Sequence, residues 1–273
     1  MKKDKELEEF LSRPISKDEV RRAIKSLKNN KSFGNDRIPA EMYKENIEIM
    51  EDVIYEIICI SVKQGKLIDD WAEGIITLLH KKNDRADPNN YRPICLLNIS
   101  YKILSVIVCT RLNPIMNILT KETQTAYKNN RSTYDIISII EKYTKEYKCK
   151  QNSYKSITLI DLSKAFDRMN RQKMLTILAE KGLPAELIRI IHIMHKNTKL
   201  QPKQTNRLGR KIHNNNGCFQ GSPLFALVFV IYADEMMGRY EQELKKQRGD
   251  AKNTSTENIN IRSENAEKEW TKH

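Results

Sequence analysis

Only five cysteines occur in the 273-residue sequence, and no two of them form a C-x-x-C pair. An odd set (Cys59, Cys95, Cys109, Cys149, Cys218) without metal-ligand spacing excludes a disulfide framework and a zinc site. It reads as reduced thiols of an intracellular protein, nuclear or cytoplasmic. Long apolar runs are also missing. No stretch approaches the roughly 20 residues that span a bilayer, so no membrane partner is expected. Met1 to Glu9 is a charge run and not the apolar core of a signal peptide. No internal repeat is visible. Acidic charge is in deficit, with 35 Asp and Glu against 48 Lys and Arg, a net charge of +13. That surplus leaves two readings open, a polyanionic partner, most simply nucleic acid, or a solvated basic surface. The length allows one sizeable core or two small ones.

What is present begins with helices. Ser16-Lys-Asp-Glu19 is a capping-box pattern, followed by Val20, Ile24 and Leu27 on one stripe. Asn29 to Asn35 breaks this helix, a second starts near Pro39, and a third runs from Glu51 to Lys63 and closes at Gly65. Ile75 to Leu79 reads as a buried strand, and Tyr101 to Ile118 as a helix interrupted at Pro114. Helical spacing returns from Thr133 to Tyr147, where Ile136, Ile137, Ile140 and Tyr143 are expected in the core.

Ile157 to Asp161 reads as a strand that ends on an aspartate. A carboxylate there costs several kcal/mol, roughly, unless something compensates it. Two readings stand, an Asx turn or cap for the following helix, and a metal ligand. Asp167 is a plausible N-cap for a helix from Arg168 to Glu180 ended by Gly182, and Pro184 starts another to about Lys196. Thr198 to Gln204 and Arg210 to Asn214 suggest a two-stranded ribbon around Gly209, rich in Lys199, Lys203, Arg207, Arg210 and Lys211. Pro223 opens a helix, and from Glu241 the composition looks disordered.

Asp161-Leu-Ser-Lys-Ala-Phe-Asp167 resembles the first catalytic-aspartate motif of reverse transcriptases, in the form used by non-LTR (LINE-type) retrotransposons. Other stretches agree with it in the correct order. Tyr91-Arg-Pro-Ile-Cys-Leu-Leu-Asn98 with Tyr101, Arg111 and Leu112 is similar to the family's fingers segment. Gln124-Thr-Ala-Tyr127 with Arg131-Ser-Thr133 matches the next block, and Gln220-Gly-Ser-Pro-Leu224 the template- and nucleotide-contacting motif. Lys31-Ser-Phe-Gly-Asn-Asp36 is similar to the segment preceding the fingers.

The resemblance implies an α+β fold comprising the fingers and a partial palm of a right-hand polymerase. A helical N-terminal extension (1–70) would lead into a polymerase domain (71–240) and a polar tail (241–273). It implies RNA-directed DNA synthesis from an RNA template, a DNA primer and deoxynucleoside triphosphates, with Mg²⁺ as the metal. Asp161 would be the catalytic carboxylate and a metal ligand, with the Leu162 carbonyl as a further ligand. Lys82 and Arg92 would hold the triphosphate, with Lys81 competing with Lys82 for its role, and Phe166 would lie beside the sugar's 2′ position. Gln220 and Gly221 would pack against nucleotide and template base. Apart from the resemblance, the clustered charge makes Lys199, Lys203, Arg210 and Lys211 candidates for phosphate contacts along a duplex, and Arg131 is open between a template phosphate and a surface role.

Two departures from the family pattern stand out. Phe225 replaces the usual serine and is expected to crowd the start of its helix. Tyr232-Ala-Asp-Glu235 mimics the second catalytic-aspartate motif but follows Gln220 too closely, so Asp234 and Glu235 read as a solvated helix terminus. Neither that second motif nor a thumb is found, so the chain is expected to be a truncated enzyme, inactive by itself. Two alternatives remain. One is a non-catalytic nucleic-acid-binding remnant; the other is a helical interaction module presenting Val20, Ile24, Leu27, Ile54 and Ile58.

Overall fold

A computed structural model describes residues 2–148, 159–204 and 207–251. The chain divides into two compact units, Met1–Asp234 and Glu235–His273.

The first unit opens with α1 (Lys2–Ser12), α2 (Lys17–Ser26), α3 (Ala40–Glu45) and α4 (Ile47–Gln64). The capping box forms as the sequence predicts. Ser16 Oγ accepts from the Glu19 amide, and the Glu19 carboxylate accepts from the Ser16 amide at 3.0 Å. The apolar stripe of α2 packs on α4 and on α5 (Ile99–Leu112). Val20, Ile24, Ile54 and Ile58 are therefore internal core, not the partner surface expected in the interaction-module reading. The Lys31–Asp36 segment docks on the start of α5. Gly34 lies so close to the Asn98 side chain and backbone that any Cβ would overlap them.

Pro114 breaks the next helix as expected. A 3-10 turn, Asn113–Ile115, joins α5 to α6 (Met116–Leu119). The whole run Ile99–Leu119 is long and apolar enough to cross a membrane by length and composition, contrary to the reading that no stretch approaches that length. Its apolarity has a plainer use, since 61% of its 18-residue apolar window is buried inside the protein.

Among the described residues five strands form one sheet. β1 (Glu73–His80) pairs antiparallel with β2 (Tyr91–Leu97), from Gly74↔Leu97 to His80↔Tyr91. It also pairs parallel with β3 (Lys199–Gln204), from Glu73↔Lys199 to Ile76↔Pro202. The expected ribbon is present, because β3 pairs antiparallel with β4 (Arg207–Leu208) and β5 (Ile212–His213). Beyond Ile76 the hairpin of β1 and β2 runs on without β3, so Leu78 and Leu79 are exposed and not the buried strand residues expected.

Three further expectations need correction. α7 (Thr133–Lys148) is helical, capped locally by the exchange between Ser132 and Asp135, but its stripe is not core, and Ile137 and Tyr143 are exposed. Ile157 and Thr158 lie outside the described residues, and Leu159 to Asp161 are not a strand. No described strand pairs with them, and Leu159 is left 86% exposed. The helix predicted from Arg168 is split into α8 (Ala165–Arg168) and α9 (Arg171–Glu180), with Asn170, not Asp167, as the N-cap of α9. α10 (Ala185–His195) follows.

Among the described residues the last helix is α11 (Pro223–Ala251), whose residues to Asp234 belong to the first unit. It continues through residues 241–251, where composition suggested disorder, because Glu, Lys, Gln and Arg are good helix formers. The pairs Glu235–Arg239 and Glu243–Lys246 add i,i+4 and i,i+3 support. Residues 252–273 of the expected tail lie outside the described ones.

Candidate nucleotide and template site

The loop between β5 and α11 gathers the motifs. The Gly217 amide donates to Met169 O at 2.8 Å and the Cys218 amide to Phe166 O at 2.9 Å, so the loop is laced onto the segment that follows Asp161. Two residues later it turns to the sheet, where the Cys95 amide donates to Gln220 O at 2.7 Å. Gly221 has φ +134, and a Cβ there would stand 2.6 Å from Cys95 O, so only glycine fits without strain. Gln220 Nε2 then donates to Asp167 Oδ1 at 3.1 Å. Three stretches far apart in sequence thus meet at Gln220: β2, the Asp161–Asp167 motif, and the loop itself. A cavity of about 80 Å³ opens beside this junction, with Ile76, Pro93 and Leu200 among its apolar lining and Asp167, Asn214 and Gln220 at its polar side.

Arg171 holds the loop from beneath. Its guanidinium donates to Gly217 O, His195 O, Thr198 Oγ1 and Asn214 O, at 2.9, 2.8, 3.0 and 2.6 Å. The sequence reading missed this residue. The available signal was a cation in the first turn of a helix, where the macrodipole disfavours it, a local inconsistency that tertiary bonding resolves.

Asp161 is exposed, in a segment without regular secondary structure before the turn at Ser163–Lys164. Lys164 takes left-handed backbone (φ 51), and its Nζ donates to Asn89 Oδ1 at 3.2 Å, linking the motif to the β1–β2 connection. Phe166 is half-buried, with its ring stacked on Phe229 at 4.2 Å. Lys82 and Arg92 are both exposed on the β1–β2 hairpin. Arg131 lies apart, before α7, in a loose pair with Glu122 at 3.8 Å. On the ribbon, Lys203 and Arg210 are exposed and Lys199 is half-buried. Lys211 instead reaches back 2.7 Å to the buried Glu73 of β1.

Phe225 does not crowd its helix. It is fully buried, edge-on to His195 at 4.1 Å and to Phe219 at 5.7 Å. Burial drives the His195 pKa down to about 3, so this imidazole is a neutral packing partner. Asp234 is not a solvated terminus either. It is buried within the first unit, and its carboxylate accepts from the Lys121 amide at 3.0 Å. The Cys95 thiol is pushed up to about 12 by burial, which removes it as a nucleophile at neutral pH.

Asp161 and the Leu162 carbonyl are hard oxygen donors of the kind Mg²⁺ takes, and Mg²⁺ needs only one or two carboxylates beside substrate phosphates and water. Among the described residues no group of three or more acidic, histidine or cysteine side chains could hold a metal. Asp161 would therefore supply a single carboxylate to such an ion and not a closed cage.

Residues 79–256 match the family model described as reverse transcriptase (RNA-dependent DNA polymerase). The chain belongs to the reverse transcriptase family. Its relatives place it with the non-LTR retrotransposons. It is 24% identical over 223 residues to the transposon TX1 uncharacterized 149 kDa protein of Xenopus laevis, covering 82% of this chain and 17% of that one. Over 229 residues it is 24% identical to the Retrovirus-related Pol polyprotein from type-1 retrotransposable element R2 of Nasonia vitripennis, covering 84% and 22%. Over 228 residues it is 23% identical to the Probable RNA-directed DNA polymerase from transposon BS of Drosophila melanogaster, covering 82% and 25%. The chain thus spans about a fifth of the length of these relatives. The reverse transcriptase family has the right-hand polymerase fold and depends on divalent metal, and the mixed helices and sheet described here agree with an α+β chain of that kind.

Proposed function

We propose that this chain forms the nucleotide- and template-contacting part of a retrotransposon RNA-directed DNA polymerase. The observation that carries the reading is the junction at Gln220, where the Gln220–Asp167 and Cys95–Gln220 bonds tie together three motif stretches. In this reading β1 and β2 are fingers, and the Asp161 segment with α9–α11 is palm. Lys82 and Arg92 meet the triphosphate, Arg by its planar fork and Lys as a point charge. Gln220 and Gly221 back the nucleotide and template base, and Phe166 excludes a ribose 2′-hydroxyl by contact. Arg131 and the ribbon cations Lys199, Lys203, Arg210 and Lys211 meet phosphates of template and primer. Asp161 and Leu162 O would hold Mg²⁺, which neutralises and positions the reacting phosphates when bound.

The test is primer extension on an RNA template with deoxynucleotides and Mg²⁺. This chain alone is expected to give no template-dependent incorporation. A chimera that continues after Tyr240 into the rest of a relative's polymerase is expected to extend the primer, and Asp161→Asn to abolish that extension. Phe166→Ala in the chimera is expected to admit ribonucleotides. Extension that survives Asp161→Asn would overturn the assignment.

A further inference from the structure

The half-buried guanidinium of Arg171 has no carboxylate among its partners. It opens the first turn of α9, and every group it donates to is neutral. Nε donates to Gly217 O, and Nη1 serves His195 O, Thr198 Oγ1 and Asn214 O. With the Asn214 side-chain amide oriented to satisfy both of its neighbours, its oxygen accepts from Nη2 at 2.8 Å. All three nitrogens are then engaged. Burial pulls the Arg171 pKa below the ordinary arginine range. A cation taken partly out of water and met only by neutral acceptors adds little stability, because they replace its hydration incompletely. What the arrangement does supply is geometry, since one planar fork fixes carbonyls of separate segments.

Those segments lead to Gln220. Asn214 closes the base of the ribbon, where its amide donates to Thr198 O at 2.8 Å and its carbonyl accepts from Thr198 Oγ1 at 2.8 Å. Gly217 takes left-handed backbone (φ 71), and a Cβ there would stand 2.6 Å from Asp167 O. The loop is thus seated against Asp167 at Gly217 and held by Arg171 at Asn214 and Gly217. Only Cys218 and Phe219 separate Gly217 from Gln220, and both are buried. A shift of the Gly217 carbonyl therefore reaches Gln220 with little slack, and with it the bonds to Cys95 and Asp167. Arg171 itself does not line the cavity beside Gln220.

We propose that Arg171 is a positioning residue for nucleotide addition, which acts through the loop to set the place of Gln220 and Gly221. The inference rests on the polymerase reading above. It also joins the nucleotide pocket of that reading to the ribbon, because the same guanidinium holds Asn214 at the ribbon's base. A reacting group displaced by about 1 Å can lose on the order of a hundredfold in rate, so a rigid support behind the contacting residues has a use that stability alone does not give.

Two measurements test it. In the full chain, Arg171→Lys keeps the charge and loses the fork, and is expected to speed amide exchange at Gly217, Cys218 and Cys95 about tenfold. Amides of α2 and α5 are expected to keep their native protection, which separates release of the loop from general unfolding. Thr198→Val, nearly the same shape, removes one acceptor and carries both measurements if Arg171→Lys unfolds. In the chimera, Arg171→Lys is expected to raise KM for the complementary deoxynucleotide about tenfold, with a much smaller fall in kcat. Added to Gln220→Ala, it is expected to raise KM far less than it does alone, because both act on one contact. An arginine that merely stabilises the fold would add its loss in full. Native exchange in the variants overturns the proposal, and so do an unmoved KM or losses that add. A chimera that fails to extend with Arg171 in place overturns the polymerase reading and this inference with it. An extending chimera indifferent to Arg171 overturns this inference alone.

Discussion

Arg111 Nη2 lies 2.8 Å from Glu19 Oε2, and the arginine is 1% exposed. The Arg111 Nε completes a fork on the same carboxylate, and the remaining donors reach Leu11 O, Arg13 O and Pro14 O. One side chain of α5 thus fixes the turn between α1 and α2 and ties the N-terminal helices to the polymerase-family part. Arg111→Ala leaves Glu19 buried without its partner, and the expected loss is about 3–5 kcal/mol. Urea unfolding measures it. Arg111→Lys is expected to recover little, because an ammonium cannot reproduce the fork.

The same pair gives the protein an acid-sensitive joint. Burial raises the Glu19 carboxyl, but the Arg111 hydrogen bonds, the Ser16 amide and the nearby charges outweigh it and hold the pKa below its ordinary value. A carboxyl lowered on folding stabilises above its unfolded pKa, about 4.3, and loses that contribution as pH falls through the folded value. Stability is expected to fall below about pH 4.3 more steeply in the native chain than in Glu19→Gln. Thermal unfolding between neutral and acid pH, run on both proteins, reads the difference.

Gly221→Ala addresses the site itself. The new Cβ must push against Cys95 O while its backbone holds φ +134. The expected cost is about 1–3 kcal/mol from strain of this kind. Gln220→Ala removes only the bond to Asp167 from a partly exposed place and is expected to stay within about 1 kcal/mol of native. Equal losses from the two substitutions would mean that the loop is held by the Gln220 side chain and not by its backbone.

The elements whose reasons are local were legible in the sequence. The Ser16 capping box, the Gly65 stop of α4 and the Pro114 break each rest on a few adjacent residues, and each forms. What depends on distant chain was not. Nothing near Leu78 tells that β3 leaves β1 after Ile76, and nothing near Ile137 tells that α7 keeps its stripe exposed. β2 gave no strand pattern around Pro93. The site divides in the same way. Motif residues could be named from resemblance, but Arg171 and Asn89 have roles set by carbonyls and side chains far away in sequence, and Asp167 exchanges a predicted cap for Gln220.

The ribbon supplies the last prediction, because its cations are not equivalent. Lys203 and Arg210 are exposed and Lys199 is partly so, whereas Lys211 already sits 2.7 Å from the buried Glu73. If the ribbon tracks phosphates, affinity for an RNA–DNA duplex falls linearly on a log–log plot against salt, with a slope that counts the phosphates neutralised. Substituting Lys199, Lys203 and Arg210 together by Gln is expected to flatten that slope by about 2–3. Lys211→Gln is expected to leave the slope nearly unchanged, since its charge is spent on Glu73, and to lower stability instead by leaving that buried carboxylate without its cation. Filter binding across a salt series, with thermal unfolding of each variant, separates the two effects. A slope that moves with Lys211 and not with the triple substitution would transfer the phosphate contact to the Glu73 side of the sheet.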